Sequence, residues 1–314
     1  MADDVTRSTV TAQEQTMGEG ARTRERTFRE APKLNKSPLH GLWALTNRDL
    51  VKWYKNPIQL IISLVQPLVW LALFGKAFNI GGIFASQPGV TQAELDAVNT
   101  ATFGTANYFS YLGAGMLAFI ILFTAAFSGM SVVWDRRFGF MNKAMSTPVG
   151  RGAIVTSKVF QSVIRSLIQA AMVLVIAVAL GMDTTSFSLL TVGGSFIMLF
   201  LMSFGLSSLF VMLALRSSDW QTQMAIINLL NLPLLFASNA MLPVKIMPGW
   251  LQSVIMYNPV SYAVDGVRQM LLGSASAAGY SVLAPLWVDF GVLAAFAALL
   301  SVLGIVMSWK LLSK

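Results

Sequence analysis

Long uncharged apolar runs alternate with short charged breaks from Ile58 to Lys310. The runs cover residues 56–75, 97–134, 166–182, 184–215, 220–244, 269–288 and 290–309. A helix of about 20 apolar residues crosses the roughly 30 Å hydrocarbon core of a bilayer. A crossing segment must also satisfy its backbone hydrogen bonds internally, which a helix does. The pattern therefore predicts an all-α integral membrane protein.

Six membrane-spanning helices fit these runs. We place them near residues 58–79, 107–133, 159–180, 188–214, 221–242 and 287–309. Gln66-Pro67 interrupts the first helix and predicts a kink there. Residues 80–106 are predicted to form an outer loop that carries Glu94 and Asp96.

Prolines divide the region 243–286 into pieces that are too short to cross a bilayer. The breaks stand at Pro243, Pro248 and Asn258-Pro259 and leave helices near 248–257 and 260–272. Ten residues make only about 15 Å of helix. Two short helices around a proline break predict a re-entrant hairpin at 243–273, which enters and leaves on one side.

The alternative for this region is a seventh span. Its interior prolines and the charges of Asp265 and Arg268 would be costly in lipid, and it would place Lys310 and Lys314 on the outer side. The uneven distribution of basic residues between the two sides of the membrane favours six spans. With six spans one side holds twelve basic and three acidic residues, and the other holds three basic and five acidic. Because basic loops remain in the cytoplasm, both termini are predicted to be cytoplasmic, in the plasma membrane.

The segment before the first span has two parts. Residues 1–36 hold seven basic and six acidic residues and almost no large apolar ones, which predicts a disordered cytoplasmic tail. Residues 37–57 place Trp and Tyr beside Lys and Arg at helical spacing, typical of an amphipathic helix in the headgroup plane. The apolar positions are Leu39, Leu42, Trp43, Thr46, Leu50, Trp53 and Tyr54. Asn56-Pro57 is predicted to end this helix, and the membrane domain then occupies 58–314.

Composition excludes several function classes. Only 11% of the residues are charged, well below the roughly 25% of soluble domains. The net charge of +8 comes from basic residues at helix ends, so anionic lipid fits as a partner and nucleic acid does not. With no cysteine and one histidine, His40, no metal site is predicted. No phosphate-binding loop or paired acidic metal motif is present either, so we predict no enzymatic activity on this chain.

The segment 134–158 is the largest cytoplasmic connection between spans. Within it, Phe138, Phe140, Met141, Ala144 and Met145 have the spacing of a short amphipathic helix that stops at Thr147-Pro148. Such a helix suits a groove on a soluble partner, and it equally suits a position on lipid headgroups.

Two extended motifs stand out in the sequence. The first is D-R-R-x-G at 135–139 followed by S-T-P-V-x-R-x-x-I-x-x-S-K at 146–158. The second is M-L-P-V-x-x-M-P-G-W-L-Q at 241–252 followed by N-P-V-S-Y-x-x-D-x-x-R at 258–268. With these two motifs the chain resembles type-2 ABC exporter permeases of the daunorubicin-resistance and nodulation-export kind. The resemblance runs from about Leu39 to the C-terminus.

The resemblance implies six spans per protomer, a second permease copy, and an ABC ATPase subunit that carries the ATP and Mg²⁺. It implies that 134–158 is the coupling loop and that the 37–57 helix also lies near the ATPase. The residues expected to couple to that subunit are Asp135, Arg136, Arg137, Gly139, Phe140, Met141, Arg48 and Lys52. The residues expected in the outer hairpin are Pro248, Trp250, Asn258, Pro259, Asp265 and Arg268. Asp265 and Arg268 are three apart and are predicted to pair at the outer surface.

Candidates for a substrate path are polar, aromatic and methionine residues in the spans. They are Trp70, Phe109, Tyr111, Met116, Phe123, Asn228, Asn231 and Asn239. The asparagines fit interhelical hydrogen bonds in a dimer equally well, and the others fit ordinary packing.

The expected function is the permease subunit of an ATP-driven exporter of an amphipathic drug-like or lipid-like substrate. A polysaccharide or lipid-linked glycan exporter is the nearest alternative. A membrane prenyl-transferase-like enzyme would need acidic metal ligands that the sequence lacks. A secondary transporter or channel would usually show intramembrane carboxylates or an inverted repeat.

Overall fold

In a computed structural model, the residues described are 38–77, 91–103, 105, 108–147, 149–217, 219–273 and 283–312, and within them every regular element is helical. The helices are α1 (Pro38–Tyr54), α2 (Pro57–Ala72), α3 (Gln92–Phe103), α4 (Tyr108–Ala126), α5 (Ser128–Arg137), α6 (Phe140–Met145), α7 (Arg151–Ala179), α8 (Leu189–Ala214), α9 (Trp220–Phe236), α10 (Gly249–Ile255), α11 (Pro259–Leu271) and α12 (Leu286–Leu312). The prediction of an all-α protein is confirmed for these ranges. The predicted tail at 1–36 lies outside them.

The break between the amphipathic helix and the first apolar helix is confirmed. α1 ends at Tyr54, and the side chain of Asn56 accepts a hydrogen bond from the backbone N–H of Gln59 at 3.3 Å, which caps α2. Pro57 then stands in the first turn of α2, where its missing N–H costs nothing. α2 continues through Pro67 and closes in a π-helical turn, Leu73–Ala77.

Five stretches of the described residues are long and apolar enough to cross a membrane. They are Pro57–Gly75, Thr100–Arg137, Gly152–Ala179, Leu189–Ala214 and Leu286–Ser308. α9 is a further apolar helix of 17 residues. Several long apolar helices in one chain indicate a multi-pass membrane protein.

The core is built around α4 and α8. α4 is buried along almost its whole length and packs against α2, α7, α8, α9 and α11. α8 contacts α4, α5, α7, α11 and α12. Serine pairs join α7 to α8, with Oγ–Oγ distances of 2.7 Å for Ser166–Ser203 and 2.8 Å for Ser162–Ser207. Such interhelical hydrogen bonds and small side chains hold helices together where the hydrophobic effect is weak.

One end of the bundle, here called the α6 end, brings together the ends of α5 and α8, the starts of α7 and α9, and α1. Arg136 at the end of α5 donates hydrogen bonds to the carbonyls of Leu215 and Ser217, just after α8, each at 3.0 Å. The Ser217 hydroxyl donates to Gln223 in the first turns of α9 at 2.8 Å. α1 and the start of α7 meet α5 at the same end.

The opposite end, here called the hairpin end, collects the other helix termini. The Tyr111 hydroxyl at the start of α4 donates to the Asn239 carbonyl beyond α9 at 3.2 Å. The N–H of Asp183, beyond α7, donates to Ser110 at 2.9 Å. α10, α11 and the start of α12 lie here too. Both ends of the segment 237–286 therefore lie on one side of the bundle.

The predicted helix boundaries are partly corrected. The third apolar helix begins at Arg151, eight residues before the predicted 159, and the fifth ends at Phe236, six residues before the predicted 242. The stretch predicted at 107–133 consists of α4 and α5, separated only at Phe127. The hairpin pieces predicted near 248–257 and 260–272 are helical as α10 and α11.

The predicted loop at 80–106 is wrong for its described part, which contains α3. Glu94 accepts hydrogen bonds from the backbone N–H and hydroxyl of Thr91 at 2.8 and 2.9 Å, and the N–H of Glu94 donates back to the Thr91 hydroxyl at 3.4 Å. This reciprocal cap starts the helix, and its hydrogen bonds hold the pKa of Glu94 below its usual value. Residues 78–90 lie outside the described ranges.

Candidate functional site

Four charged side chains join three helices at the α6 end. Arg48 and Asp49 come from α1, Asp135 from α5 and Lys158 from α7. The Arg48 guanidinium donates to both carboxylate oxygens of Asp135 at 3.1 Å and lies 2.8 Å from Asp49. The Lys158 ammonium lies 2.5 Å from the Asp49 carboxylate and also donates to Asp135. We call these four residues the ion cluster.

The ion cluster is mostly but not completely buried, since its side chains are between 5% and 24% exposed. The side chain of Lys158 is only 5% exposed, and it bridges two carboxylates that belong to different helices. A buried charge that loses its partner is strongly destabilised, so each member needs the others in place. The cluster therefore fixes α1 against the start of α7 and the end of α5.

Aromatic and apolar contacts extend this link to α6. The Arg48 guanidinium lies 3.5 Å from the ring centre of Phe140, and the Lys52 ammonium lies 5.9 Å from it. Val149 packs against Gly41 of α1 so closely that a Cβ there would meet it at 2.9 Å. α1 thus lies on the short helix α6 as well as on α7.

The α5–α6 turn leaves one face of the segment exposed. Gly139 joins the two helices with a φ of 70°, a left-handed conformation that favours glycine. Met141 and Ala144 of α6 are buried in a cluster with Val132 and Ile154. The opposite face is exposed and consists of Arg137, Phe138, Gly139, Asn142 and Lys143. We call these five residues the docking face; Phe138 within it is 78% exposed.

A cleft adjoins the docking face between α5 and α9. Its volume is about 440 Å³ and it opens to solvent. The lining residues are Val133, Arg136, Arg137, Asp219, Trp220 and Gln221. Arg136 is held by the carbonyls beyond α8, whereas Arg137 makes no hydrogen bond or ion pair with the described residues. The cleft therefore presents the Arg137 guanidinium and the Trp220 indole ring beside the exposed Phe138.

The residues predicted to couple to a partner are thus divided by the structure. Arg137 and Gly139 belong to the exposed docking face, and Lys52 is also exposed. Asp135 and Arg48 belong to the ion cluster, and Met141 is buried. Arg136 ties α5 to the end of α8, and Phe140 lies under Arg48.

Sequence reasoning missed Asp49 and Lys158 as members of this site. Lys158 pairs with residues 109 and 23 positions away along the chain. No local spacing connects these residues. The only sequence signal is that Asp49 and Asp135 are two of the few acidic residues in a strongly basic region.

The predicted path residues do not form one surface. Phe109, Tyr111 and Met116 are buried in the core of the protomer. Trp70 is partly buried and stacks on Phe74 with ring centres 4.9 Å apart. Phe123 is partly buried and stacks on Phe119 at 4.5 Å.

The three asparagines predicted to line the substrate path also differ in their burial. Asn228 is exposed on the outer face of α9, beside Leu229 and Leu232. Asn231 and Asn239 are buried, and their side-chain oxygens have no hydrogen-bond partner among the described residues. Only Asn228 is available to another molecule on the surface of this chain.

At the hairpin end, Arg268 is buried under the chain that follows α9. It is 1% exposed, and its guanidinium donates to the carbonyls of Asn239 and Ala240, each at 2.6 Å, and of Tyr111 at 3.2 Å. The same group lies 3.4 Å from the ring centre of Tyr111. Arg268 therefore closes α11 onto α4 and onto the end of α9.

The predicted surface pair of Asp265 and Arg268 is wrong, because both residues are buried and have separate partners. Asp265 accepts hydrogen bonds from the N–H groups of Leu283 and Ala284 at 2.8 and 3.3 Å. The amide of Gln269 donates to Asp265 at 3.1 Å and to Asp289 of α12 at 2.8 Å. The two carboxylates thus join α11 to α12, while Arg268 faces α4.

The other predicted hairpin residues have distinct roles. Pro248 and Trp250 are exposed at the start of α10. Asn258 is buried before Pro259 and caps α11, accepting from the N–H of Val260 at 3.0 Å. Its amide donates to the carbonyls of Leu234 and Ala237 at 2.7 and 2.5 Å. Asn258 therefore ties the hairpin to the end of α9.

Comparisons with known proteins give a consistent result. The model of the ABC-2 type transporter family matches residues 40–272. A protein of Cyanophora paradoxa that carries the name transport permease ycf38 is 32% identical over 231 residues, which is 73% of each chain. The daunorubicin resistance ABC transporter permease protein DrrB1 of Streptomyces coeruleorubidus is 26% identical over 83% of each chain. Nodulation protein J of Rhizobium leguminosarum bv. trifolii is 24% identical over 73% of this chain and 80% of its own.

Proposed function

Because this chain belongs to the ABC-2 type transporter family, we propose that it is the membrane-spanning subunit of an ATP-driven exporter. ATP and Mg²⁺ bind to a separate ABC ATPase subunit, and two permease copies assemble with it. The cargo is an amphipathic drug-like or lipid-like molecule that leaves the cytoplasm.

The direction of each helix supports six crossings. α2, α7 and α9 run from the α6 end to the hairpin end, and α4 with α5, α8 and α12 run back. Since both flanks of α10 and α11 lie at the hairpin end, this segment is a re-entrant hairpin at 243–273. α1, α6 and the end of α12 then lie on the basic side, which is the cytoplasmic side of the plasma membrane.

The observation that carries the proposal is an exposed docking face on a segment that is fixed to the rest of the bundle. Phe138 projects beside Arg137 and Lys143. The base of this face is the end of α5, which the ion cluster and Arg136 hold to α1, α7 and α8. An exposed aromatic residue ringed by cations suits a groove on a soluble subunit. Movement of that subunit would be transmitted to the spans through the base, since packed elements shift as rigid units.

The outer face of α9 supports an uncharged amphipathic cargo. Gln221, Asn228, Leu229, Leu232 and Phe236 are exposed along it. This face combines amides with apolar groups and carries no charge. In the assembled exporter it borders the second copy and the cargo path, whereas the buried Phe109, Tyr111 and Met116 do not contact cargo.

The test is co-purification of the chain with its ATPase subunit, followed by cargo-stimulated hydrolysis and anthracycline uptake into inverted vesicles. Phe138→Ala and Arg137→Ala are each expected to lower association and stimulated hydrolysis by about tenfold or more, the size of an interface hot spot. Trp250→Ala is the matched control, because it removes an exposed aromatic residue at the opposite end.

Two results would contradict the proposal. One is unchanged association and hydrolysis in the Phe138→Ala/Arg137→Ala double variant. The other is labelling of a single cysteine introduced at Lys143 only from outside the cell, since that position is predicted to be cytoplasmic.

A further inference from the structure

Arg165 is a cation on an apolar helix and has no counter-ion among the residues that the structure describes. It lies on α7 within the stretch Gly152–Ala179. It makes no hydrogen bond and no ion pair with the described residues, and its Nε is buried without a partner. Charged residues within spans are costly and normally face a partner.

The position along α7 places Arg165 inside the hydrocarbon layer but near its cytoplasmic border. α7 has 29 residues and is therefore about 43 Å long, which exceeds the roughly 30 Å hydrocarbon core. If Ala179 marks the outer border, the inner border falls near residue 160, and Arg165 lies about 7 Å inside it. Its side chain is long enough to reach the headgroup level.

Two further unpaired polar groups lie on the same seam between α1 and α7. The Trp53 ring centre is 6.0 Å from the Arg165 guanidinium, and the buried indole N–H of Trp53 has no hydrogen-bond partner in the described part of the chain. Gln161 stands one turn before Arg165 on the same face of α7, and its side-chain oxygen is also buried without a partner. Trp53 and Gln161 are 6% and 5% exposed.

The register of the seam brings these groups together. Thr46 of α1 donates to the Ser157 carbonyl at 3.4 Å, and Asp49 meets Lys158. One turn farther along both helices, Trp53 comes level with Gln161 and Arg165. Trp53 stands next to the last residue of α1, so the seam ends beside the elbow between α1 and α2.

Among the described residues, no carboxylate near Arg165 is free to neutralise it. Asp49 and Asp135 are already paired with Lys158 and Arg48 in the ion cluster. α2 contains no acidic residue, and α7 contains none along its 29 residues. The remaining acidic groups of the neighbouring helices lie at the hairpin end.

We propose that Arg165, Trp53 and Gln161 bind the phosphate headgroup of an anionic phospholipid from the cytoplasmic leaflet. The guanidinium and the indole N–H donate hydrogen bonds to the phosphate oxygens. A hydroxyl of a glycerol headgroup donates to the Gln161 oxygen. The bound lipid then fills the seam and fixes the angle between α1 and the bundle. This proposal requires membrane insertion and not the export activity.

Native mass spectrometry of the full chain tests the site directly. The protein is exchanged into phosphatidylcholine nanodiscs that contain increasing phosphatidylglycerol, and the bound phosphatidylglycerol is counted. Arg165→Gln is expected to weaken retention of one lipid by about tenfold or more, and Trp53→Phe by roughly fivefold, as for hydrogen bonds to a charged group. Lys55→Gln is the matched control, since it removes an exposed cation from the same elbow.

Three outcomes would overturn the proposal. The first is equal retention of phosphatidylglycerol by the wild type, Arg165→Gln and Trp53→Phe. The second is displacement of the lipid by millimolar inorganic phosphate, which would assign the site to a free anion. The third is loss of the ATPase subunit in Arg165→Gln with unchanged lipid retention, which would make a carboxylate of that subunit the counter-ion. If Arg165→Gln does not fold, Trp53→Phe and Arg165→Lys decide the question.

Discussion

The two ends of the bundle hold buried charges by different means. At the α6 end, the ion cluster pairs cations with carboxylates from three helices. At the hairpin end, Arg268 is satisfied by backbone carbonyls, and Asp265 by backbone N–H groups and an amide. Arg268 and Asp265 thus have mainly backbone partners, whereas Asp289 is held by the side-chain amide of Gln269.

The difference bears on which end can move. An ion cluster that is partly open to water can exchange partners, because each charge has more than one opposite charge in reach. The carbonyls of Asn239 and Ala240 lie just beyond α9, where the chain has no further helical donors. Removing Arg268 would leave the buried Ala240 carbonyl without a donor among the described residues, and the Asn239 carbonyl with only the Tyr111 hydroxyl. We therefore expect the hairpin end to be the stiffer one and the α6 end to be the adjustable one, whose helices stay joined while its ions exchange partners.

The largest expected effect comes from Arg268→Met. The buried carbonyls of Tyr111, Asn239 and Ala240 each lose the hydrogen bond from the guanidinium, which should cost about 3–5 kcal/mol of unfolding free energy. The measurement is the thermal unfolding midpoint and the monodisperse yield of the full chain in detergent. Arg268→Lys keeps the charge but not the planar guanidinium, so it should lose less.

Lys245→Ala is the control for this prediction, because it removes an exposed cation from the same end. If Arg268→Met were as stable as Lys245→Ala, the hairpin end would not depend on the arginine, and the contrast between the ends would fail.

Gly115→Ala tests how tightly α4 meets the chain beyond α9. A Cβ there would lie 2.1 Å from the Ala240 carbonyl oxygen and 2.9 Å from the Arg268 guanidinium. The helices must separate, which should cost about 1–3 kcal/mol by overpacking. Gly193→Ala is the matched control, since no atom lies within 4 Å of its Cβ position, and it should be neutral or slightly stabilising. Equal unfolding midpoints for the two variants would exclude this close approach.

Lys158→Met tests the adjustable end. The carboxylates of Asp49 and Asp135 would face each other with only Arg48 to compensate, which should cost about 2 kcal/mol in this partly exposed cluster. The double variant Lys158→Met/Asp135→Asn should recover part of that loss, as coupled residues do. Thermal unfolding at low and high salt is the measurement, and Lys143→Met is the exposed control. Additive losses in the double variant would mean that the two side chains do not interact.

The elements that the sequence predicts well are those with local signals. Apolar runs and prolines are local, so the long helices, the break at Asn56-Pro57 and the two hairpin helices follow from the sequence. α3 was missed because its polar residues suggested a loop. The reciprocal cap at Thr91 and Glu94 was the available signal.

The candidate site follows from the sequence only in part, because its contacts join distant residues. The motif containing Asp135 indicates a functional segment, but nothing in it indicates that Asp135 points inward to Lys158. For Asp265 and Arg268 the sequence predicted a contact that the structure does not have. Their spacing predicted a pair, yet α11 is enclosed by α4 and α12, and the two side chains find different partners there.

The smallest expected effect on stability comes from Gly139→Ala, at the turn that carries the docking face. No atom lies within 4 Å of its Cβ position, so only the backbone conformation, with φ at 70°, resists the substitution. A left-handed alanine costs about 1–2 kcal/mol, and asparagine should cost less.

Gly150→Ala is the matched control, because that glycine has equally open space but a φ of −60°. Since the turn sets the direction of α6, Gly139→Ala should lower co-purification with the ATPase subunit more than it lowers the unfolding midpoint. An equal effect of both substitutions on co-purification would mean that the left-handed turn does not orient the docking face.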